Sequence, residues 1–103
     1  MGIDWLFLNM NKNLTTKEIF ALALENHQKN NLDVAINFYN QVLEKEPNDV
    51  DTNNNLGVLF QSINENQKAI KYYEKVIEIN PNNVSTYNNL GSLFKKIGEY
   101  EVY

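Results

Sequence analysis

The chain repeats one short pattern at a fixed interval. Asn55-Leu56-Gly57 returns as Asn89-Leu90-Gly91, and Pro47 returns as Pro81 at the same spacing. A fixed period of roughly 34 residues predicts stacked helical hairpins, because each hairpin hides its apolar face only against its neighbours. We therefore expect function to lie on a surface of the protein rather than in a catalytic pocket.

Apolar residues at helical spacing, interrupted by turn residues and prolines, predict five helices. The predicted helices cover about residues 16–29, 32–45, 50–63, 66–79 and 84–97. Thr15 and Glu18 form a capping-box pattern at the start of the first helix. Gly98 is expected to end the fifth helix. The predicted fold class is all-α, an array of antiparallel helix hairpins.

Small residues stand where the paired helices are expected to cross most closely. They are Ala23, Gly57 and Gly91 in the first helices of the hairpins, and Ala35 and Ala69 in the second helices. A glycine inside a helix costs about 1 kcal/mol relative to alanine. Its recurrence at one phase of the repeat therefore indicates that close packing requires it.

The spacing of these residues resembles that of the tetratricopeptide repeat, whose pattern is W-x2-L-G-x2-Y, then A-x3-F, then P. The second repeat matches this pattern at Leu56, Gly57, Phe60, Ala69, Tyr73 and Pro81. The third repeat matches it at Tyr87, Leu90, Gly91 and Phe94, and the first, more loosely, at Leu22, Ala23, Ala35, Tyr39 and Pro47. The resemblance implies a right-handed α-solenoid of two full repeats and most of a third. The repeats would span about residues 16–49, 50–83 and 84–103, the last incomplete, after an apolar N-terminal segment of residues 1–15.

The resemblance also implies a concave groove, lined by the first helices of the hairpins, that binds extended peptides. Its lining is expected to be small and hydrogen-bonding, with a basic edge: Asp51, Asn54, Asn55, Val58, Ser62, Ser85, Asn88, Asn89, Ser92, Lys95 and Lys96. Asn55 and Asn89 hold equivalent places, and an amide can both donate to and accept from a peptide backbone. The pair is similar to the asparagine ladder in the repeat region of O-linked N-acetylglucosamine transferases. The alternative is that Asn is simply frequent in this chain.

The first helix is apolar on nearly all sides, so its groove side needs cover. The start of the chain carries apolar side chains at helical spacing: Ile3, Leu6, Phe7 and Met10, widened by Trp5 and Leu8. We expect this segment to dock on the first repeat, in its own chain or in a neighbour's. The alternative is a disordered tail.

Self-association is expected at both ends of the sequence. The fifth helix lacks its hairpin partner, which leaves the apolar residues Leu90 and Phe94 in need of cover. Trp5 and Phe7 are the corresponding candidates in the N-terminal segment. These residues predict a homo-oligomer.

Composition argues against several classes of function. The net charge is −4 and all nine basic residues are Lys, a poor basis for binding nucleic acid. With no Cys and His27 as the single histidine, no metal site or cofactor is predicted. No segment matches a membrane span or a secretory signal, and the lack of cysteine fits a cytoplasmic location.

The sequence thus predicts a non-catalytic module that binds a protein or peptide partner. Two alternatives stay open. One is that the array mainly holds copies of itself together. The other is that it forms the N-terminal part of a longer enzyme, such as a bacterial glycosyltransferase.

Overall fold

A computed structural model describes the backbone of residues 14–101 and the side chains of residues 14–98. Five α-helices occupy this part of the chain, and no strand occurs in it. The helices are α1 (Thr16–Gln28), α2 (Leu32–Lys45), α3 (Val50–Ser62), α4 (Asn66–Ile79) and α5 (Val84–Glu101). The predicted all-α fold of consecutive helix hairpins is confirmed. The expectations for Trp5, Phe7 and the rest of residues 1–13 lie outside the described residues.

The chain divides into two compact units, Met1–Pro47 and Asn48–Tyr103. The first unit contains the hairpin of α1 and α2. The second unit contains the hairpin of α3 and α4, with α5 packed against both of its helices. Each unit has a core of its own.

Side chains just before three of the helices satisfy backbone amides that no intrahelical partner can reach. Thr15 forms the predicted capping box with Glu18: its hydroxyl accepts from the Glu18 amide at 3.1 Å, and Glu18 accepts from the Thr15 amide at 3.0 Å. Asp49 accepts from the Thr52 amide at 2.9 Å before α3, and Asn83 accepts from the Thr86 amide at 3.0 Å before α5. Local sequence therefore determines where these helices begin.

The two complete hairpins turn at equivalent asparagines. Asn30 and Asn64, one repeat apart, adopt left-handed backbone angles with φ of 64° and 62°. Asparagine tolerates this region better than most residues. The third equivalent position is Gly98, but α5 passes through it to Glu101, so the predicted end at Gly98 is wrong. Among the described residues no further helix packs back on α5, and the helical hydrogen bonds therefore continue.

The core of the first unit lies between α1 and α2. Its buried apolar residues are Ile19, Ala23, Ala35, Phe38, Tyr39 and Val42. The Tyr39 ring lies edge-on to the His27 ring, with centroids 5.9 Å apart. The Tyr39 hydroxyl lies 3.0 Å from Nδ1 of His27. This contact joins the C-terminal end of α1 to the middle of α2.

The core of the second unit repeats this arrangement. Its buried apolar residues are Leu56, Leu59, Phe60, Ala69, Tyr73, Val76, Leu90 and Leu93. The Tyr73 hydroxyl donates to Oε1 of Gln61 at 2.8 Å, and Gln61 stands one repeat after His27. Burial raises the pKa of Tyr73 to about 12, so the phenol keeps its proton.

Close packing at the small residues is confirmed in both complete hairpins. The same prediction is wrong for Gly91. Ala23, Ala35 and Ala69 are fully buried. A Cβ atom at Gly57 would lie 2.5 Å from Cε1 of Tyr73, whereas a Cβ atom at Gly91 would meet nothing within 4 Å. The difference arises because α4 covers Gly57, and no described helix covers Gly91.

Candidate functional site

Two side-chain hydrogen bonds join α3 to α5, the helices that carry all the predicted groove residues. The fully buried Thr86 hydroxyl lies 3.0 Å from Oδ1 of Asn54 and 3.0 Å from Oδ1 of Asn83, and its single proton can be donated to either acceptor. Nζ of Lys96 donates to Oδ1 of Asn64, just past the end of α3, at 3.1 Å. The two contacts lie toward opposite ends of the helices and therefore hold α3 and α5 in one register.

Asn55 and Asn89 lie at equivalent positions on these joined helices. Both residues are half-buried. Within the part of the chain that the structure describes, neither side-chain amide takes part in a hydrogen bond, whereas Oδ1 of the neighbouring Asn54 lies within hydrogen-bond distance of the Thr86 hydroxyl. The donor and acceptor of each amide are thus available to a ligand.

The other predicted groove residues differ in how much they expose. Exposed positions are Asp51, Ser62, Ser85, Asn88, Ser92 and Lys95, and Val58 is 38% exposed. Ser62 already donates to the carbonyl of Leu59 at 2.6 Å. Asn54 and Lys96 are half-buried and engaged between the helices. We use the name groove face for Asn55, Asn89 and these exposed residues, which the sequence predicted to line a groove.

A second face of α5 is apolar and exposed. Tyr87 and Phe94 are 48% and 53% exposed, and Gly91 lies between them at helical spacing. We call these three residues the α5 stripe. Leu90 is only 8% exposed because it packs inside its own unit, so Phe94 is the accessible one of the two self-association residues predicted on this helix. The sequence analysis did not identify Tyr87 as exposed. Its position in the incomplete third repeat could have indicated this exposure.

An open cavity of about 320 Å³ lies on the surface of α1. Apolar side chains of Leu14, Ala21 and Leu22 line it, with the carboxylates of Glu18 and Glu25. The sequence predicted that the groove side of α1 needs cover. The segment expected to supply that cover lies outside the described residues.

Potential metal ligands among the described residues are the acidic side chains and His27. No group of three or more His, Cys, Asp or Glu side chains among them could hold a metal ion. His27 is engaged with the Tyr39 hydroxyl, and burial lowers the pKa of its imidazole. Within this part of the chain no helix is both long and apolar enough to cross a membrane.

Comparison with protein families agrees with this geometry. Three family models, each described as a tetratricopeptide repeat, match residues 19–49, 50–83 and 72–101. No curated protein is similar enough to the chain to be matched to it. Tetratricopeptide repeats are generally protein–protein interaction modules. Together the matches cover residues 19–101, and the chain therefore belongs to the tetratricopeptide repeat family.

Proposed function

We propose that this protein is a non-catalytic interaction module that binds an extended peptide along the groove face of α3 and α5. The observation that carries the proposal is the pair of amides at Asn55 and Asn89. They recur one repeat apart on two helices held in register, and neither is used by the fold within the described residues. The partner is a protein, and the absence of cysteine from the sequence suits action in the cytoplasm.

An amide ladder suits a ligand recognised by its backbone. Each amide offers one acceptor and two donors, which match the alternating C=O and N–H groups of an extended peptide of any sequence. The remaining exposed groups are small hydroxyls and amides, with Asp51 near the start of α3 and Lys95 near the end of α5. The affinity is expected to be modest, about micromolar, because the face offers few anchors.

The test is selection of short random peptides by display on the intact protein, followed by calorimetry with the strongest binder. Asn55→Ala and Asn89→Ala should each weaken binding by about 1 kcal/mol, the usual net value of one hydrogen bond. Asn40→Ala on α2 is the matched control, because it removes an exposed amide outside the groove face. If the Asn55→Ala/Asn89→Ala double variant keeps its fold and binds with unchanged affinity, these two amides do not bind the peptide.

A second candidate function is assembly of copies of the chain. The exposed ring of Phe94 favours it, since large apolar side chains in water are usually covered by a partner. Size-exclusion chromatography with light scattering across concentration separates the two candidates. A compact 12.0 kDa monomer at high concentration would support peptide binding in an open groove. A dimer that Phe94→Ser dissociates would support assembly.

A further inference from the structure

Val58 is the single apolar residue of the groove face. It is 38% exposed and lies on α3, three residues after Asn55. Residues three positions apart on a helix are neighbours, with about 5–6 Å between their Cβ atoms. A peptide whose backbone is bonded by the Asn55 amide therefore brings one of its side chains within reach of Val58.

The equivalent place on α5 has a different side chain. Ser92 follows Asn89 by three residues and stands one repeat after Val58. It is exposed, and it offers a small hydroxyl in place of an apolar surface. The two amides of the groove face are thus alike, whereas the residues beside them are not. A peptide that contacts both helices meets an apolar surface at Asn55 and a polar one at Asn89.

Charge gives these two helices little means of selecting a peptide. Asp51 is the one charged residue in the sequence of α3, and α5 carries two Lys and two Glu, which balance. Asp51 precedes Val58 by seven residues, or about 10 Å along the helix axis. A charged side chain placed over Val58 would lose water without gaining a partner, whereas an aliphatic one would bury apolar surface.

Amides that bond only a peptide backbone do not fix which peptide residue lies where. Main-chain hydrogen bonds supply affinity for an extended peptide, and contacts with its side chains supply specificity. Contact with Val58 would therefore set the register of the bound peptide. Packed helices lie about 8–10 Å apart, and an extended chain advances about 3.3 Å per residue. About three peptide residues thus separate the position beside Val58 from the position beside Ser92.

We propose that Val58 is the specificity-determining residue of the groove face. It selects an extended peptide that carries one aliphatic residue, such as Leu or Val, at the position beside Asn55. The position about three residues away, beside Ser92, does not require an apolar side chain. This inference rests on the proposed function and names the class of peptide that the groove face binds.

The test is a double-mutant cycle between Val58 and the peptide. The strongest peptide binder selected by display is remade with serine at each apolar position in turn, and each version is titrated into the full chain by calorimetry. At one position serine should weaken binding about five- to tenfold, because one contact buries only part of an aliphatic side chain. Val58→Ser should bind that serine peptide and the parent peptide with nearly equal affinity.

Three further variants strengthen the test. Val34→Ser on α2 is the matched control, because it removes an exposed valine outside the groove face and should leave the preference unchanged. Val58→Thr keeps the shape of the side chain and adds a hydroxyl, so it should reduce the preference even if Val58→Ser loses its helical spectrum. Ser92→Val should create a second aliphatic preference, about three peptide residues from the first.

This inference and the proposed function fail in different ways. If binding depends on Asn55 and Asn89 but no peptide position is coupled to Val58, the inference is wrong and the proposed function stands. Selected peptides that share no aliphatic residue would lead to the same conclusion. If no peptide is selected, or if loss of both amides leaves every affinity unchanged, the proposed function fails and this inference fails with it.

Discussion

The ring of Tyr73 lies so close to Gly57 that a single methyl group on the glycine would stand 2.5 Å from Cε1 and 2.7 Å from Cδ1. The ring is fully buried, so it cannot move aside without disturbing the core between α3 and α4. Gly91 occupies the same place in the next repeat, where a methyl group would meet nothing within 4 Å. One sequence pattern thus has two opposite packing environments.

This contrast predicts opposite effects of the same substitution. Gly57→Ala should lower the free energy of unfolding by about 1–3 kcal/mol, the usual effect of forcing extra volume into a packed core. Gly91→Ala should raise it by up to about 1 kcal/mol, because alanine favours the helix and meets no obstacle. Urea denaturation followed by circular dichroism measures both changes. Equal effects of the two substitutions would contradict the difference in packing.

The partial burial of His27 predicts that stability depends on pH. Burial lowers the pKa of His27 below its ordinary value of 6.5, so the unfolded chain takes up a proton more readily than the folded chain. The contribution of neutral His27 to the free energy of unfolding is therefore fully present above about pH 6.5. It is lost as pH falls through the lower pKa of the folded state. Melting temperatures measured between about pH 5 and 8 should fall on the acid side.

The second repeat supplies the control for this pH dependence. Gln61 accepts the Tyr73 hydroxyl at 2.8 Å without titrating in this range. His27→Gln should therefore keep a hydrogen bond to Tyr39 while flattening the loss of stability below about pH 6.5. If the melting temperature of His27→Gln falls at acid pH as much as that of the unmodified chain, the carboxylates rather than His27 cause the loss of stability.

The buried hydroxyl of Thr86 is expected to hold α5 in register with α3. Thr86→Val keeps the shape of the side chain but removes the hydroxyl that lies 3.0 Å from both Asn54 and Asn83, so the free energy of unfolding should fall by about 1 kcal/mol. Binding of a groove-face peptide should weaken as well, because Asn55 and Asn89 would lose their fixed spacing. Ser85→Ala, at an exposed neighbouring position, should change stability by less than about 0.5 kcal/mol. A Thr86→Val variant as stable as the Ser85→Ala variant would show that the contact contributes nothing.

Residues 1–10 are expected to cover the groove side of α1. Their removal should lower the melting temperature or cause aggregation, because Phe20 and Leu24, which are half-buried, would lose cover. Phe7→Asp tests the same contact with the chain length unchanged, and Asn11→Asp adds the same charge without removing an apolar group. If the truncated chain stays soluble and equally stable, the segment is a passive tail.

Much of the fold follows from local signals that the sequence displays directly. Thr15 and Asp49 cap α1 and α3, and proline follows α2 and α4 at Pro47 and Pro81, so these helix ends were predictable to within a residue or two. The repeat spacing also identified the small residues of both complete hairpins. The candidate site was predictable only as a set of positions on α3 and α5. Which amides remain available depends on contacts between helices, such as the Thr86 hydroxyl beside Asn54.

What the sequence by itself determined is the helical hairpin and its period, because capping, proline and apolar spacing act within a few residues of the chain. Only the tertiary structure decided whether equivalent residues in different repeats are buried or exposed, and whether a helix ends at them. Leu90 is buried and Phe94 exposed, Gly57 is covered and Gly91 open, and α5 runs through Gly98, where the equivalent Asn64 turns. The physical reason is that burial and turning depend on whether a neighbouring helix packs against a position, and nothing in the short pattern around these residues says whether that neighbour is present.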